Sequence, residues 1–188
     1  MSIDYIVAVL ITVVGASTPI LFAGLGELVA EKSGVLNLGV EGMMLIGAIA
    51  AFATVDITGN PWLAVVLAAA AGAAVSMIFA VLTLSLSANQ VATGLALTIF
   101  GGGLSTLVGN GFTGRVIKTF DTVFPSWLAD DRIGKVFFSY SPLVYLSFIM
   151  VGLVAWFLHR TRAGLILRAV GENDLSAHSI GYSVIGVR

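Results

Sequence analysis

Charge is what this chain has least of. Its 188 residues hold 9 Lys and Arg against 10 Asp and Glu, so 10% are charged, where an average soluble domain has roughly 25%. A net charge of −1 without a clustered basic stripe excludes nucleic acid as a partner. Cysteine is absent, which removes disulfides, thiolate chemistry and Cys-based metal sites. His159 and His178 stand alone at a span boundary and in the tail, and no His-Glu-x-x-His pair or Gly-x-Ser-x-Gly elbow occurs. Neither a metal site nor a catalytic nucleophile is expected. The start, Met-Ser-Ile-Asp4, lacks the basic n-region of a secretory signal, so the first apolar segment reads as a retained span.

Apolar residues make up 58% of the chain, and they come in runs. Residues 57–114 contain no charged side chain, and neither do residues 5–26 or 136–158. A helix needs about 20 apolar residues to cross a hydrocarbon core. The expected fold is therefore all-α, a polytopic transmembrane helix bundle with about five spans, at roughly 3–26, 36–55, 62–86, 89–109 and 141–159. Gly59-Asn-Pro61 marks a tight turn between the second and third, and Ser87-Ala-Asn-Gln90 another before the fourth. Residues 110–140 read as a polar external loop, in which Phe120, Phe124, Pro125, Trp127 and Leu128 suit either an interfacial helix or a protein contact.

Small residues recur along two spans. Ala64, Ala68, Gly72, Ser76 and Ala80 repeat every four residues, as do Gly94, Thr98, Gly102 and Thr106. Lipid supplies no hydrophobic drive between helices, so ridges of small residues are the usual means of close packing. Gly101-Gly-Gly103 is compatible with either a very close crossing or a helix break. Beside this apolar block lies a polar segment. On a helix, Asn37 and Glu41 share a face about 6 Å apart along the axis. An ionised acid at mid-membrane costs roughly 2.5 to 3.5 kcal/mol, so a submerged Glu41 would face a cavity or a partner, whereas at headgroup level it would be hydrated. Asn89, Gln90 and Thr93 suit either the same polar path or the cap and first turn of the fourth helix.

Three stretches carry a family resemblance: residues 26–44 (Gly-Glu-Leu-Val-Ala-Glu-Lys-Ser-Gly-Val-Leu-Asn-Leu-Gly-Val-Glu-Gly-Met-Met), Ala88-Asn-Gln-Val-Ala-Thr-Gly-Leu-Ala-Leu-Thr98, and Arg168-Ala-Val-Gly-Glu-Asn173. The chain resembles the permease subunit of bacterial ABC importers, in the branch serving simple sugars, nucleosides and branched-chain amino acids, and is most like the purine-nucleoside permeases. The resemblance implies a multi-pass inner (plasma) membrane subunit that translocates a small solute by alternating access and hydrolyses nothing itself. Consistently, no Gly-x-x-x-x-Gly-Lys-Ser/Thr loop is present, so ATP would be used by a separate subunit. The implied partners are that ATP-binding subunit, a second permease subunit in a homo- or heterodimer, an extracytoplasmic substrate-binding protein and the lipid bilayer. Residues 160–188 match the family's cytosolic coupling loop. Arg168, Gly171, Glu172, Asn173, Asp174 and Gly181 become the implied coupling residues, with Asn173 or Asp174 capping a short helix that Gly181 ends. The chain departs from the family at Asp174, where proline is common, and at Ser176-Ala-His178. Relatives continue through further spans, so the chain reads as the N-terminal part of a larger permease fold, truncated after the loop.

Other readings of the same spans are an ATP-independent secondary transporter or facilitator, and a non-transporting structural subunit. Riboflavin or a simple sugar are alternatives to a nucleoside. With the tail inside, Lys32, Arg160, Arg162, Arg168 and Arg188 are cytosolic, and Arg115, Lys118, Arg132 and Lys135 are external. That bias is slight, and the resemblance decides orientation. A reporter fused near Asp121 is therefore expected to report an external location; a cytosolic signal would reverse the topology.

Overall fold

The structure, a computed structural model, describes residues 3–125 and 132–188. Among these residues there are helices and no strand. Helices α1 (Ile3–Lys32), α2 (Val40–Thr58), α3 (Pro61–Ala80), α4 (Gln90–Gly109) and α6 (Pro142–Arg160) are each long and apolar enough to cross a membrane. The all-α, five-span architecture expected from composition is the one observed. A short helix, α5 (Arg132–Phe138), precedes α6, and three more follow it: α7 (Arg162–Glu172), α8 (Asp174–Ser179) and α9 (Val184–Val187). Contacts divide the chain into two units, residues 1–26 with 120–161, and residues 27–119 with 162–188.

In the first unit, Ser141 precedes Pro142 at the start of α6, where a missing N–H costs nothing. Phe124 packs edge-on against Phe138 and Tyr145, with ring centroids 4.9 and 5.5 Å apart. The Tyr145 hydroxyl donates to the Phe137 carbonyl at 2.7 Å. Residues 120–125 are not helical, so the described part of the candidate interfacial helix is irregular chain with a bend at 123–124; Trp127 and Leu128 lie outside the described residues. Two causes act together. Pro125 disfavours helical backbone at Phe124, and the aromatic cluster rewards an inward ring.

The second unit is built around α2, which packs on both α3 and α4. Its core gathers Val35, Met43, Ile46, Val75, Phe79 and Leu97. The crossing with α4 is made by backbone. A Cβ on Gly42 would overlap the Leu97 carbonyl oxygen, and one on Gly101 would overlap the Gly42 backbone. About two turns earlier on α4, a Cβ on Gly94 would come within 2.9 Å of the Leu38 and Gly39 nitrogens. Gly101-Gly-Gly103 thus makes a close crossing within a continuous helix.

The packed face is not the four-residue ridge the sequence suggests. At 3.6 residues per turn, a strict four-residue step drifts about 40° around the helix each time, so a straight contact mixes steps of three and four. On α4 the contact runs through Gly94, Thr98 and Gly101, while Gly102 meets only the Leu45 side chain, at 3.9 Å. On α3 the buried positions are Ala64, Val75 and Phe79, with Ala71 and Ala68 part-buried between them. Gly72 has open space around it, and Ser76 is exposed, bonding its own helix at the Ala73 carbonyl.

The turns follow their residue types. Gly59 ends α2 at φ +66°, a conformation glycine adopts without a Cβ penalty, and the Asn60 side chain accepts from the Trp62 and Leu63 N–H groups to start α3. Past Ala80 the helix widens into a π-type turn, Val81–Ser85. At the far end of α2, Asp56 pairs with Arg115, whose guanidinium lies 5.6 Å from the centre of the Phe112 ring.

Gly101→Ala is expected to destabilise the folded chain by about 1 to 3 kcal/mol through overpacking. Gly103→Ala, at a position with nothing within 4 Å, should not. Thermal unfolding in detergent separates the two, and equal effects would show that the crossing does not limit stability.

Candidate functional site at the α1–α2 junction

The site begins where α1 stops. Gly34 takes φ +84°, its N–H donates to the Glu31 carbonyl at 2.9 Å, and the Val35 N–H reaches back to the Ala30 carbonyl at 3.1 Å. This paired closure is a Schellman ending, which needs a left-handed residue and an apolar one after it; Val35 is buried. α1 therefore runs through Glu27–Lys32 before the chain turns.

Residues 35–37 then form no regular structure and residues 38–39 a turn before α2 begins at Val40. Asn37 is thus outside the helix and does not share a helical face with Glu41. The cause is local: the Asn37 side-chain oxygen accepts from the Gly39 N–H at 3.0 Å, an Asx turn that competes with helix. Glu41 opens the first turn of α2 and is exposed in the isolated chain.

Long-range hydrogen bonds hold the segment. The Glu27 carboxylate accepts from the Asn37 N–H at 3.0 Å. Gln90 accepts from the Leu36 N–H at 2.8 Å, and Thr98 donates to the Leu38 carbonyl at 2.8 Å. Non-helical backbone has no ladder of its own, and a buried group left unsatisfied costs about 1 to 3 kcal/mol, so these side chains supply partners the segment lacks. Asn89 caps α4, accepting from the Ala92 N–H at 3.0 Å, and Thr93 lies part-buried in the first turn. Because backbone N–H groups face the amide oxygens of Asn89 and Gln90, it is the NH2 ends of those two side chains that remain for other partners.

Glu27 was missed as a site residue. Its other carboxylate oxygen, Oε2, is buried without a hydrogen-bond partner among the described residues. The available signal was position: Glu27 is the first acid after the uncharged run 5–26, still within the apolar helix. A groove of about 480 Å³ in the first unit, lined by Val13, Ser17, Thr18, Leu21, Val144 and Ser147, also went unforeseen. Its hydroxyls donate to carbonyls of their own helices, Ser17 to Val13, Thr18 to Val14 and Ser147 to Val144, which leaves no free donor for a polar solute.

The tail packs on the same junction. A Cβ on Gly171 would overlap the Lys32 carbonyl oxygen, and Val170 beside it is fully buried. Arg188 donates from Nε to the Ser33 carbonyl at 2.9 Å and lies 3.8 Å from the Asp174 carboxylate. Asn173 caps α8 by accepting from the Ser176 N–H at 2.9 Å, and Gly181 follows at φ +94°. Glu172 is exposed, while the Arg168 Nε is buried without a hydrogen-bond partner among the described residues.

This geometry, an acid-latched non-helical segment beside a tail helix, coincides with the three stretches that carried the resemblance. Residues 9–188 match the profile of the branched-chain amino acid transport system / permease component family. The chain belongs to that family. Among its relatives, a putative glucose ABC transporter permease protein of Haloferax volcanii is 42% identical over 180 residues, covering 93% of this chain and 55% of the relative. A nucleoside ABC transporter permease protein of Lactococcus lactis subsp. cremoris is 32% identical over 184 residues, covering 92% of this chain and 58% of the relative. A guanosine ABC transporter permease protein of Bacillus subtilis is 32% identical over 187 residues, with the same coverage, 92% and 58%. The permease chain thus spans little more than half the length of the curated relatives it matches. No solved structure matches it. With five apolar helices and this family membership, it is a multi-pass protein of the plasma membrane.

Glu27→Ala should lower stability by about 1 to 3 kcal/mol, the usual cost of stranding a buried N–H, while Glu27→Gln, which keeps an acceptor for Asn37, should stay close to wild type. Parallel melts of the two variants check this. Equal losses would show that charge, and not the hydrogen bond, is what the site requires.

Proposed function

We propose that the chain is the translocation subunit of an ATP-driven importer, carrying a nucleoside across the plasma membrane by alternating access while a separate subunit hydrolyses ATP. The observation that carries this reading is the family match over residues 9–188, joined to the two nucleoside and guanosine permeases among the relatives. An ATP-binding subunit, a second permease subunit and an extracytoplasmic binding protein complete the importer. Spans 3–26, 36–55, 62–86, 89–109 and 141–159, the external loop 110–140 and the cytosolic coupling loop 160–188 make up the topology of this reading. The exposed Leu175 and Ile180 on and just after α8 give the coupling loop an apolar surface for the ATPase.

In this reading Asn37, Glu41, Asn89, Gln90 and Thr93 border the solute path. Glu41 offers two acceptor oxygens, and the amide NH2 groups of Asn89 and Gln90 offer donors, a combination suited to the hydroxyls of a sugar or ribose ring. A second substrate, a simple sugar, is favoured by the 42% identity to the putative glucose permease. Nucleosides and sugars share the polyol and differ in the base.

The test is uptake into proteoliposomes by the complete complex, with labelled purine nucleoside or glucose outside and ATP supplied or withheld inside. ATP-dependent nucleoside uptake is expected. ATP-independent uptake would favour a facilitator, and glucose uptake alone would select the sugar. Glu41→Gln is expected to impair uptake several-fold with the complex still assembled, and unchanged uptake would remove Glu41 from the path.

A further inference from the structure

The tail α7–α9 follows α6 in sequence, yet its contacts group it with residues 27–119 and not with the unit that contains α6. Two kinds of contact hold it there, and both fall on the last turn of α1 and the residues after it.

The first is backbone against backbone. At Gly171, near the end of α7, the Lys32 carbonyl, the Ser33 carbonyl carbon and the Gly34 nitrogen all crowd the position a Cβ would take, the last two at 2.9 Å. Gly34 closes the contact from the other side, since its own Cβ would lie 3.2 Å from the Gly171 Cα. The second contact is a charged tether. The Arg188 guanidinium donates to the Ser33 carbonyl, one of the acceptors left open where α1 ends, and a cation there also complements the negative end of the helix dipole. Its other arm lies near Asp174, in the first turn of α8. One side chain therefore spans α8 and the α1 terminus.

From Ser33 the chain runs directly into the segment latched to α4 by Gln90, Gly94 and Thr98. We propose that Gly171 and Arg188 are positioning residues that lock α7–α9 to the α1–α2 turn, so that force applied at α8 reaches α4 and the path residues through residues 33–39 as one rigid piece. This rests on the importer reading above and adds the route by which the ATPase acts on the path.

A rigid lock differs from a switch that opens and closes, and the absence of cysteine from the chain makes the distinction measurable. In the assembled complex, the pair Ser33→Cys and Arg188→Cys, bridged by a short thiol-specific cross-linker, should react equally with ATP present or absent and should leave uptake within about two-fold of the same pair before bridging. Cross-linking that depends on ATP, or that abolishes uptake, would overturn the lock. Separately, Arg188→Ala should raise the ATP hydrolysed per solute imported by about five-fold or more, with assembly and basal hydrolysis unchanged, and Arg188→Lys should recover part of the loss. A ratio unchanged from wild type in Arg188→Ala would overturn the proposal even where Gly171→Ala fails to fold. ATP-independent uptake by the wild-type complex is a different failure, one that overturns the importer reading itself.

Discussion

The contact on which the second unit depends is the crossing of α2 and α4 at Gly42 and Gly101, where backbone meets backbone with no side chain between. In lipid the gain on bringing helices together comes from dispersion contacts and from polar groups finding partners, both of which grow as axes approach. Glycine at both positions permits the approach, and the approach sets everything N-terminal to it. Only because α2 starts hard against α4 can Thr98 reach the Leu38 carbonyl, Gln90 the Leu36 N–H, and Gly94 the Leu38–Gly39 backbone.

That dependence explains how a stretch of non-helical backbone is held beside two apolar helices. The Leu36, Asn37 and Gly39 N–H groups and the Leu38 carbonyl are met by side chains from α1, α4 or the segment itself, while the Val35 N–H and the Gly39 carbonyl bond to helix backbone. In the proposed importer, the side chains that hold this segment would also border the solute path.

Much of this was readable without coordinates. Five apolar runs gave five helices because a run of that length has few alternatives, and Gly59-Asn60-Pro61 gave a capped turn because each residue suits its position. The tail helix capped by Asn173 followed from the same chemistry. The junction was harder. Asn37 and Glu41 look like helical neighbours by spacing, and only the competing Asx turn, fixed by Glu27 ten residues back, takes Asn37 out of the helix. The ridge on α3 failed for a geometric reason, since a four-residue repeat drifts off the contact face and Val75 and Phe79 take over from Gly72 and Ser76. Gly171 against Lys32 was invisible because a glycine in sequence does not say which distant backbone it makes room for.

α2 also acts as a ruler. Its 19 residues span about 28 Å, and Glu41 and Asp56, 15 residues apart, sit about 22 Å from one another along it. A hydrocarbon layer of about 30 Å cannot leave both carboxylates in water. Either the bilayer thins around this helix, or one acid stays below the headgroups, and Asp56 is the one that brings its own counter-charge in Arg115. A carboxylate held below the headgroups is costly unless it is paired, and the Asp56–Arg115 ion pair supplies that pairing from the far end of α2.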